Sequence, residues 1–423
     1  MYPKRRHRAI GAALVVAGLA TIAPAAPAGA ASHHDATRGW STSWASAPQH
    51  PVPGNEWDGP NWSTDGFSDQ SVRQVVRLSV GGDQVRIRLS NRYGTGPLRL
   101  TGATVGRTRA GAEIRPGTVR RLTFGRSAGV TIPAGRDAAS DAVFLPTSPL
   151  ERLTVTLYAA RPTGPATFHE NGLTTTYRAA GDHRYDRGGR AFAGEVSDSW
   201  YYLTGVDVAG GARATRGTVV TIGDSITDGY GSTPGADSRY PDQLAARLAA
   251  AGRPMGVANA GINGNKLLTG STCYGESILA RFRRDVLDQP GVRTVIVLAG
   301  LNDLGTSGLP DFGCGPSPEV SEDDLIAGHR ALIRAARARG ITVLGATLTP
   351  VVGSMYEPAE GPRVAVNQWI RTSGEFDAVI DLDRALADPE KQGLRAAYDC
   401  GDGLHPNDAG MRAIADAIDL DRL

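Results

Sequence analysis

Up to about residue 210, hydrophobic and polar positions alternate with period two. The clearest case is Gln84–Ser90 (QVRIRLS), where Val85, Ile87 and Leu89 share one face and Arg86 and Arg88 take the other. Gly81, Gly82 and Asp83 precede this run and Asn91, Arg92, Tyr93 and Gly94 follow it, so both ends carry turn residues. The alternation extends over residues 71–105, returns at Leu153, Val155 and Leu157, and reads as a further strand at 200–208. No stretch of useful length between Trp40 and Gly210 has helical period. The pattern predicts an all-β domain, a two-sheet sandwich or jelly roll.

Past a Gly/Ala/Arg-rich connection at 209–217 the period changes. Short runs at 218–222, 255–260, 294–298, 341–347 and 378–382 read as strands, with 218–222 and 294–298 rich in β-branched residues. Apolar positions at helical spacing predict helices at 240–251, 277–287, 363–372 and 408–418. A further helix to about Arg339 opens on Ser321, Glu322, Asp323 and Asp324, which resemble a capping box. This alternation predicts a parallel sheet with helices on both faces, and ligands in such sheets sit beyond the carboxyl ends of the strands.

The candidate chemistry falls on those ends. In residues 218–230 (TVVTIGDSITDGY) a buried-type strand runs into Gly223, which permits a sharp turn, and Ser225 is presented on that turn. Asp224 and Ser225 can also be read as a plain helix cap. Gly261-Ile262-Asn263-Gly264-Asn265 follows the second strand and Gly300-Leu301-Asn302-Asp303 the third. Asp402-Gly403-Leu404-His405 lies before the last helix.

These four blocks, in this order, resemble the SGNH (GDSL-type) hydrolase superfamily over residues 218–423, with Ile226 where the family's motif has Leu. Together with the upstream β half, the chain also resembles two-domain secreted esterases of actinobacteria. The resemblance implies a three-layer, flavodoxin-like α/β hydrolase domain and metal-independent ester hydrolysis through an acyl-enzyme. It implies Ser225 as nucleophile, His405 as general base and Asp402 as the group that orients His405. It further implies an oxyanion hole made of the Ser225 and Gly261 backbone N–H groups and the Asn302 side-chain amide. Gly261 as a turn glycine, Asn302 and Asp303 as a cap, and Asp399 as the partner of His405 remain alternatives at this level. His329, inside an amphipathic helix, is expected to be a structural or an exposed helix residue.

A basic segment (Lys4, Arg5, Arg6, Arg8), an uncharged apolar run at 9–23, and small residues at Ala28, Gly29 and Ala30 read as a signal peptide. The expected organisation is signal peptide 1–30, all-β accessory domain 31–210 and hydrolase domain 211–423, in a secreted, extracellular monomer with no stable membrane anchor. Three cysteines in an oxidising compartment suggest one disulfide and one odd thiol. Cys273 and Cys314 follow the second-strand and third-strand blocks, so their pairing is expected, leaving Cys400 free; a pairing through Cys400 is the alternative.

A formal net charge of +2 gives no reason to expect a nucleic-acid partner. Asp58, Asp65 and Asp69 lack calcium-loop spacing, and no phosphate-binding glycine loop is present, so neither metal nor cofactor is expected. Gly125-Arg126-Ser127-Ala128-Gly129 matches a nucleophile-elbow pattern, but the β-like Val130-Thr131-Ile132-Pro133 that follows excludes Ser127. Trp40, Trp44, Trp57 and Trp62 would either bury against the sandwich or stack on sugars. The loops 266–276 and 305–318 are glycine-rich and polar, with Leu267-Leu268 as the only strong apolar pair, which favours short or aromatic acyl groups on carbohydrate or small alcohols. Two alternatives stand beside this: a lipase-type or phospholipase-type acylhydrolase on longer chains, and a carbohydrate-binding protein with a degenerate hydrolase half.

Overall fold

The computed structural model of the chain describes residues 39–54, 59–211, 215–310 and 313–423. The expected signal peptide, Trp57 and Asp58 lie outside the described residues, as does part of the connection at 209–217. From Gly39 onward the described residues belong to one compact unit.

The N-terminal half consists of antiparallel sheets, as the period-two pattern predicts. One places Ser41–Ala45, Leu203–Ala209, Gln84–Ser90 and Val143–Phe144 side by side. Another has Thr176–Ala180, Gln70–Arg77, Arg152–Ala159 and Gly102–Ala110 at its centre. Val85, Ile87 and Leu89 share one core with Leu153, Val155 and Leu157, and Trp44 and Trp62 are buried in the same core. Trp40 lies under the Arg86 guanidinium, 4.5 Å from ring to Cζ.

The opposite face of Gln84–Ser90 is not a solvent face. Asp207, fully buried on the adjacent strand, pairs with Arg86 at 2.9 Å and Arg88 at 3.1 Å. Ser127 closes a tight turn against Phe124, with Gly125 and Arg126 at φ +57° and +68°. No strand-to-helix transition presents it.

Elements of the C-terminal half are numbered here from β1. They are β1 (Thr218–Gly223), α1 (Ser225–Asp228), α2 (Tyr240–Ala250), β2 (Gly256–Gly261), α3 (Ile278–Phe282), β3 (Val292–Leu298) and α4 (Leu301–Gly305). There follow α5 (Glu322–Arg337), β4 (Thr342–Ala346), α6 (Glu360–Thr372), β5 (Ala378–Ile380), α7 (Leu382–Leu386) and α8 (Asp408–Ala417). The five strands pair in parallel in the order β2-β1-β3-β4-β5. Strand order therefore reverses at β1, and the crevice beyond its carboxyl end is the expected ligand position.

Every residue of β1 is buried, as suits a central strand covered on both faces. Ser321 caps α5 in the expected capping box with Asp324. The helix expected at 277–287 is α3 followed by one wider turn at Arg283–Leu287. Helices α1 and α4 have four and five residues, too few to impose a helical period on the sequence.

The halves join along Ser41–Ala45. Thr42 N donates to Thr218 Oγ1 at 3.0 Å, and Val257 N donates to Ser79 Oγ at 2.8 Å. A Cβ at Gly256 would lie 2.0 Å from Thr42 O, so this close approach requires glycine there.

Candidate active site

Ser225 is the first residue of α1, directly after β1. Asp224 is the cap: its carboxylate accepts Ile226 N–H at 3.1 Å, so the cap and the candidate nucleophile are neighbouring but different residues. Burial raises the Asp224 carboxyl to about 6. The preceding Gly223 has no room for a Cβ, which would meet Leu298 O and Thr227 Oγ1, each at 2.3 Å.

Ser225 Oγ lies 2.8 Å from His405 Nε2, and His405 Nδ1 lies 2.6 Å from Asp402 Oδ2. A carboxylate at Nδ1 places the ring proton there and leaves Nε2 to accept from the serine hydroxyl. The turn holds Asp402 in place, because Oδ1 accepts the N–H groups of Leu404 (2.9 Å) and His405 (2.8 Å). Partial burial pushes the Asp402 carboxyl up, but its hydrogen bonds and the charge of His405 outweigh this and hold it well below the usual carboxylate range. Asp399 is used differently: Oδ1 accepts from Gly401, Asp402 and Gly403 N–H, so it shapes the turn. Tyr230 packs on the His405 ring with centroids 4.5 Å apart.

Asn302, in α4, donates from Nδ2 to Asn265 O at 3.0 Å and accepts at Oδ1 from Tyr356 Oη at 2.9 Å. The second amide hydrogen of Asn302 has no acceptor among the described residues. Asp303 does not cap its own helix. Its carboxylate accepts Leu267 N–H (2.7 Å) and Leu268 N–H (2.9 Å), which anchors the loop after β2, and burial raises its carboxyl.

The expectation for Gly261 needs correction. Its N–H donates to Asn259 Oδ1 at 2.8 Å, so that donor is already committed. Glycine is required there for packing, since a Cβ would lie 2.2 Å from Asp228 N. The next glycine of the loop, Gly264, has φ +68°, and its N–H has no acceptor among the described residues; the same holds for Ser225 N–H. The ring of Tyr274 covers Gly264, where a Cβ would be 2.5 Å from ring carbons.

Cys273 and Cys314 form a disulfide, with Cα atoms 5.1 Å apart. Cys400 is free and exposed; burial of its sulfur and the neighbouring Asp402 raise its thiol. Ligand atoms of Asp399, Cys400 and Asp402 lie within 4.8 Å of one another. Both carboxylates there are already used, by the turn amides and by His405. His329 is buried and bonds through Nε2 to Ala299 O at 3.1 Å, consistent with a structural residue. Among the described residues no helix is long and apolar enough to cross a membrane.

Residues 221–413 match the GDSL-like Lipase/Acylhydrolase family, a span that includes Ser225, Gly264, Asn302, Asp402 and His405. The C-terminal half is a GDSL-type hydrolase domain. Through that half the chain is an ester hydrolase.

Solved structures similar to the chain include an acetyl xylan esterase from Geobacillus stearothermophilus (23% identity, TM-score 0.39, covering 48% of this chain and 93% of that one). A GDSL-like lipase from Bacteroides thetaiotaomicron VPI-5482 has 18% identity and a TM-score of 0.36, covering 49% of this chain and 88% of that one. An alpha/beta hydrolase from the metagenome of Lake Arreo, Spain, has 23% identity and a TM-score of 0.38, covering 48% and 94%. A comparison with curated proteins gives no match to this chain.

Proposed function

We propose that the chain is a secreted serine esterase that works through an acyl-enzyme and prefers short-chain or aromatic acyl groups on carbohydrate or small alcohols. Ser225 Oγ attacks the ester carbonyl while His405 Nε2 takes the hydroxyl proton, and Asp402 orients and stabilises the resulting imidazolium. The proton then passes to the leaving alkoxide, and water, activated by the same His405, releases the acid and restores Ser225. The negative charge on the carbonyl oxygen is met by Ser225 N–H, Gly264 N–H and the free amide hydrogen of Asn302. The observation that carries this reading is the unbroken hydrogen-bond chain Ser225–His405–Asp402.

The acyl preference rests on what surrounds the loops. Leu267 is fully buried, and Leu268 packs on the core around Gly328, so this apolar pair is not a lid. Tyr274 beside Gly264, and Met355 next to the Asn302 partner Tyr356, are single exposed apolar side chains rather than the wide patch an oil surface calls for. Export is inferred from the basic and apolar segments at 4–30.

Hydrolysis of p-nitrophenyl esters from acetate to laurate, with Ser225→Ala as control, tests the proposal. Activity concentrated on the shortest esters and lost in the control is expected. A maximum at laurate points to the lipase reading instead, and an unaffected Ser225→Ala enzyme contradicts the mechanism.

A further inference from the structure

His169 belongs to the N-terminal half, on the short strand Phe168–His169, yet its ring reaches the catalytic half. It is 3% exposed and stacks on Trp200, with centroids 5.5 Å apart and planes at 26°. Nδ1 lies 2.9 Å from Ala47 O and Nε2 lies 3.0 Å from Asp228 Oδ1. A carbonyl oxygen and an ionised carboxylate oxygen both only accept, so both ring nitrogens donate, Nδ1 to Ala47 O and Nε2 to Asp228 Oδ1.

Asp228 is the last residue of α1, the helix that opens with Ser225, and it is 2% exposed. Its second oxygen, Oδ2, accepts Asn263 N–H at 2.8 Å, and Asn263 immediately precedes Gly264. One buried carboxylate therefore ties together the nucleophile helix, the loop carrying the Gly264 amide and the N-terminal half. Asn259 Nδ2 donates to Thr227 O at 2.9 Å and supports the same junction from β2. A second bridge runs nearby: Tyr93 Oη of the N-terminal half donates to Glu276 Oε2 at 2.8 Å, and Glu276 O accepts from the side chain of Asn265 at 2.9 Å.

We propose that His169 is a positioning residue for the oxyanion site, and that the N-terminal half is thereby part of the catalytic centre rather than a detachable module. By fixing the Asp228 carboxylate, His169 sets where Asn263 and Gly264 lie relative to Ser225. Burying an imidazole against a carboxylate costs free energy that an apolar pair would not, and what the polar pair supplies in return is a fixed orientation. The inference rests on the reading of Ser225 as nucleophile and Gly264 N–H as an oxyanion donor.

The test uses two variants of the full chain that separate the ring's two nitrogens. In His169→Asn the side-chain amide keeps a donor at the Nδ1 position for Ala47 O but falls short of Asp228. In His169→Gln the amide reaches Asp228. Turnover of p-nitrophenyl acetate is measured per active site, titrated by the burst, together with the second-order rate of phosphonylation by a p-nitrophenyl phosphonate, which also places charge in the oxyanion site. The expected result for His169→Asn is a kcat lower by about tenfold to a hundredfold, as for other small displacements of reacting groups, with a parallel fall in phosphonylation rate. KM changes by no more than about twofold, because an interaction made in the transition state is what is lost. His169→Gln recovers most of both rates. Equal rates per titrated site in the two variants, whether unchanged or lowered alike, overturn the proposal. Ser225→Ala in the same assay isolates the other failure: retained activity there removes the nucleophile reading itself.

Discussion

The phenolic O–H of Tyr356 donates to Asn302 Oδ1 at 2.9 Å, with both groups buried. Burial raises the Tyr356 phenol, so it stays protonated and remains a donor across the working pH range. With its oxygen taken, the Asn302 amide has one orientation, in which Nδ2 serves Asn265 O and the site. Tyr356→Phe is expected to lower kcat by roughly threefold to tenfold, the scale of one hydrogen bond. Asn302→Ala is expected to lower it by about a hundredfold to a thousandfold, the usual loss for an oxyanion donor. If Tyr356 acts only through Asn302, adding Tyr356→Phe to Asn302→Ala changes nothing further, which a double-mutant cycle on kcat measures.

The Cys273–Cys314 bridge spans a sequence separation of 41 and sits next to Tyr274, whose ring covers Gly264. Loop-closure entropy for that span predicts that Cys273→Ala with Cys314→Ala loses about 3–4 kcal/mol of stability. Urea unfolding of the double variant checks this. Cys400→Ala, outside the bridge, is expected to leave the unfolding midpoint in place, and prior treatment with reductant to lower that midpoint in this variant as it does in the wild type.

Much of the candidate site is legible in the sequence because its signals are local. Ser225 follows a β-branched run and a turn glycine, and Asp402 precedes His405 by three residues, so each is placed on its own loop locally; that the two loops meet follows from the strand–helix alternation, which puts both at the carboxyl edge of one parallel sheet. Gly261 and Gly264 are not separable in this way. Both are glycines of one loop, and what distinguishes them is tertiary: the backbone of Asp228 presses on the first, and the second takes a positive φ. His169 carried no signal, since period-two alternation tells which face a residue is on and not which distant helix that face meets. Arg86 and Arg88 show the same limit. The pattern placed them opposite the core correctly, but only the pairing of Leu203–Ala209 with Gln84–Ser90 reveals Asp207 between them.

His329 gives the chain an acid-sensitive point away from the catalytic residues. Burial lowers its pKa from the ordinary 6.5 to about 4, and Nδ1 has no partner among the described residues. Above pH 6.5 the ring is neutral in both folded and unfolded chains and costs nothing. As pH falls from 6.5 through 4, the unfolded chain takes up the proton first, so stability is lost over that window. At pH 4.5 the loss from this group is about 2 kcal/mol. His329→Gln, which retains a donor for Ala299 O, is expected to lose less stability between pH 7 and pH 4.5 by about that amount, read from urea unfolding at the two pH values.

In the proposed mechanism Ser225, activated by His405, forms the acyl-enzyme. The most direct measurement is intact-mass and peptide-mass analysis after reaction with a fluorophosphonate, run beside p-nitrophenyl acetate turnover for wild type and Ser225→Ala. A single adduct on the peptide containing Ser225, and a loss of turnover in Ser225→Ala on the order of a millionfold, are predicted. An adduct on another residue, or substantial turnover by Ser225→Ala, would contradict it.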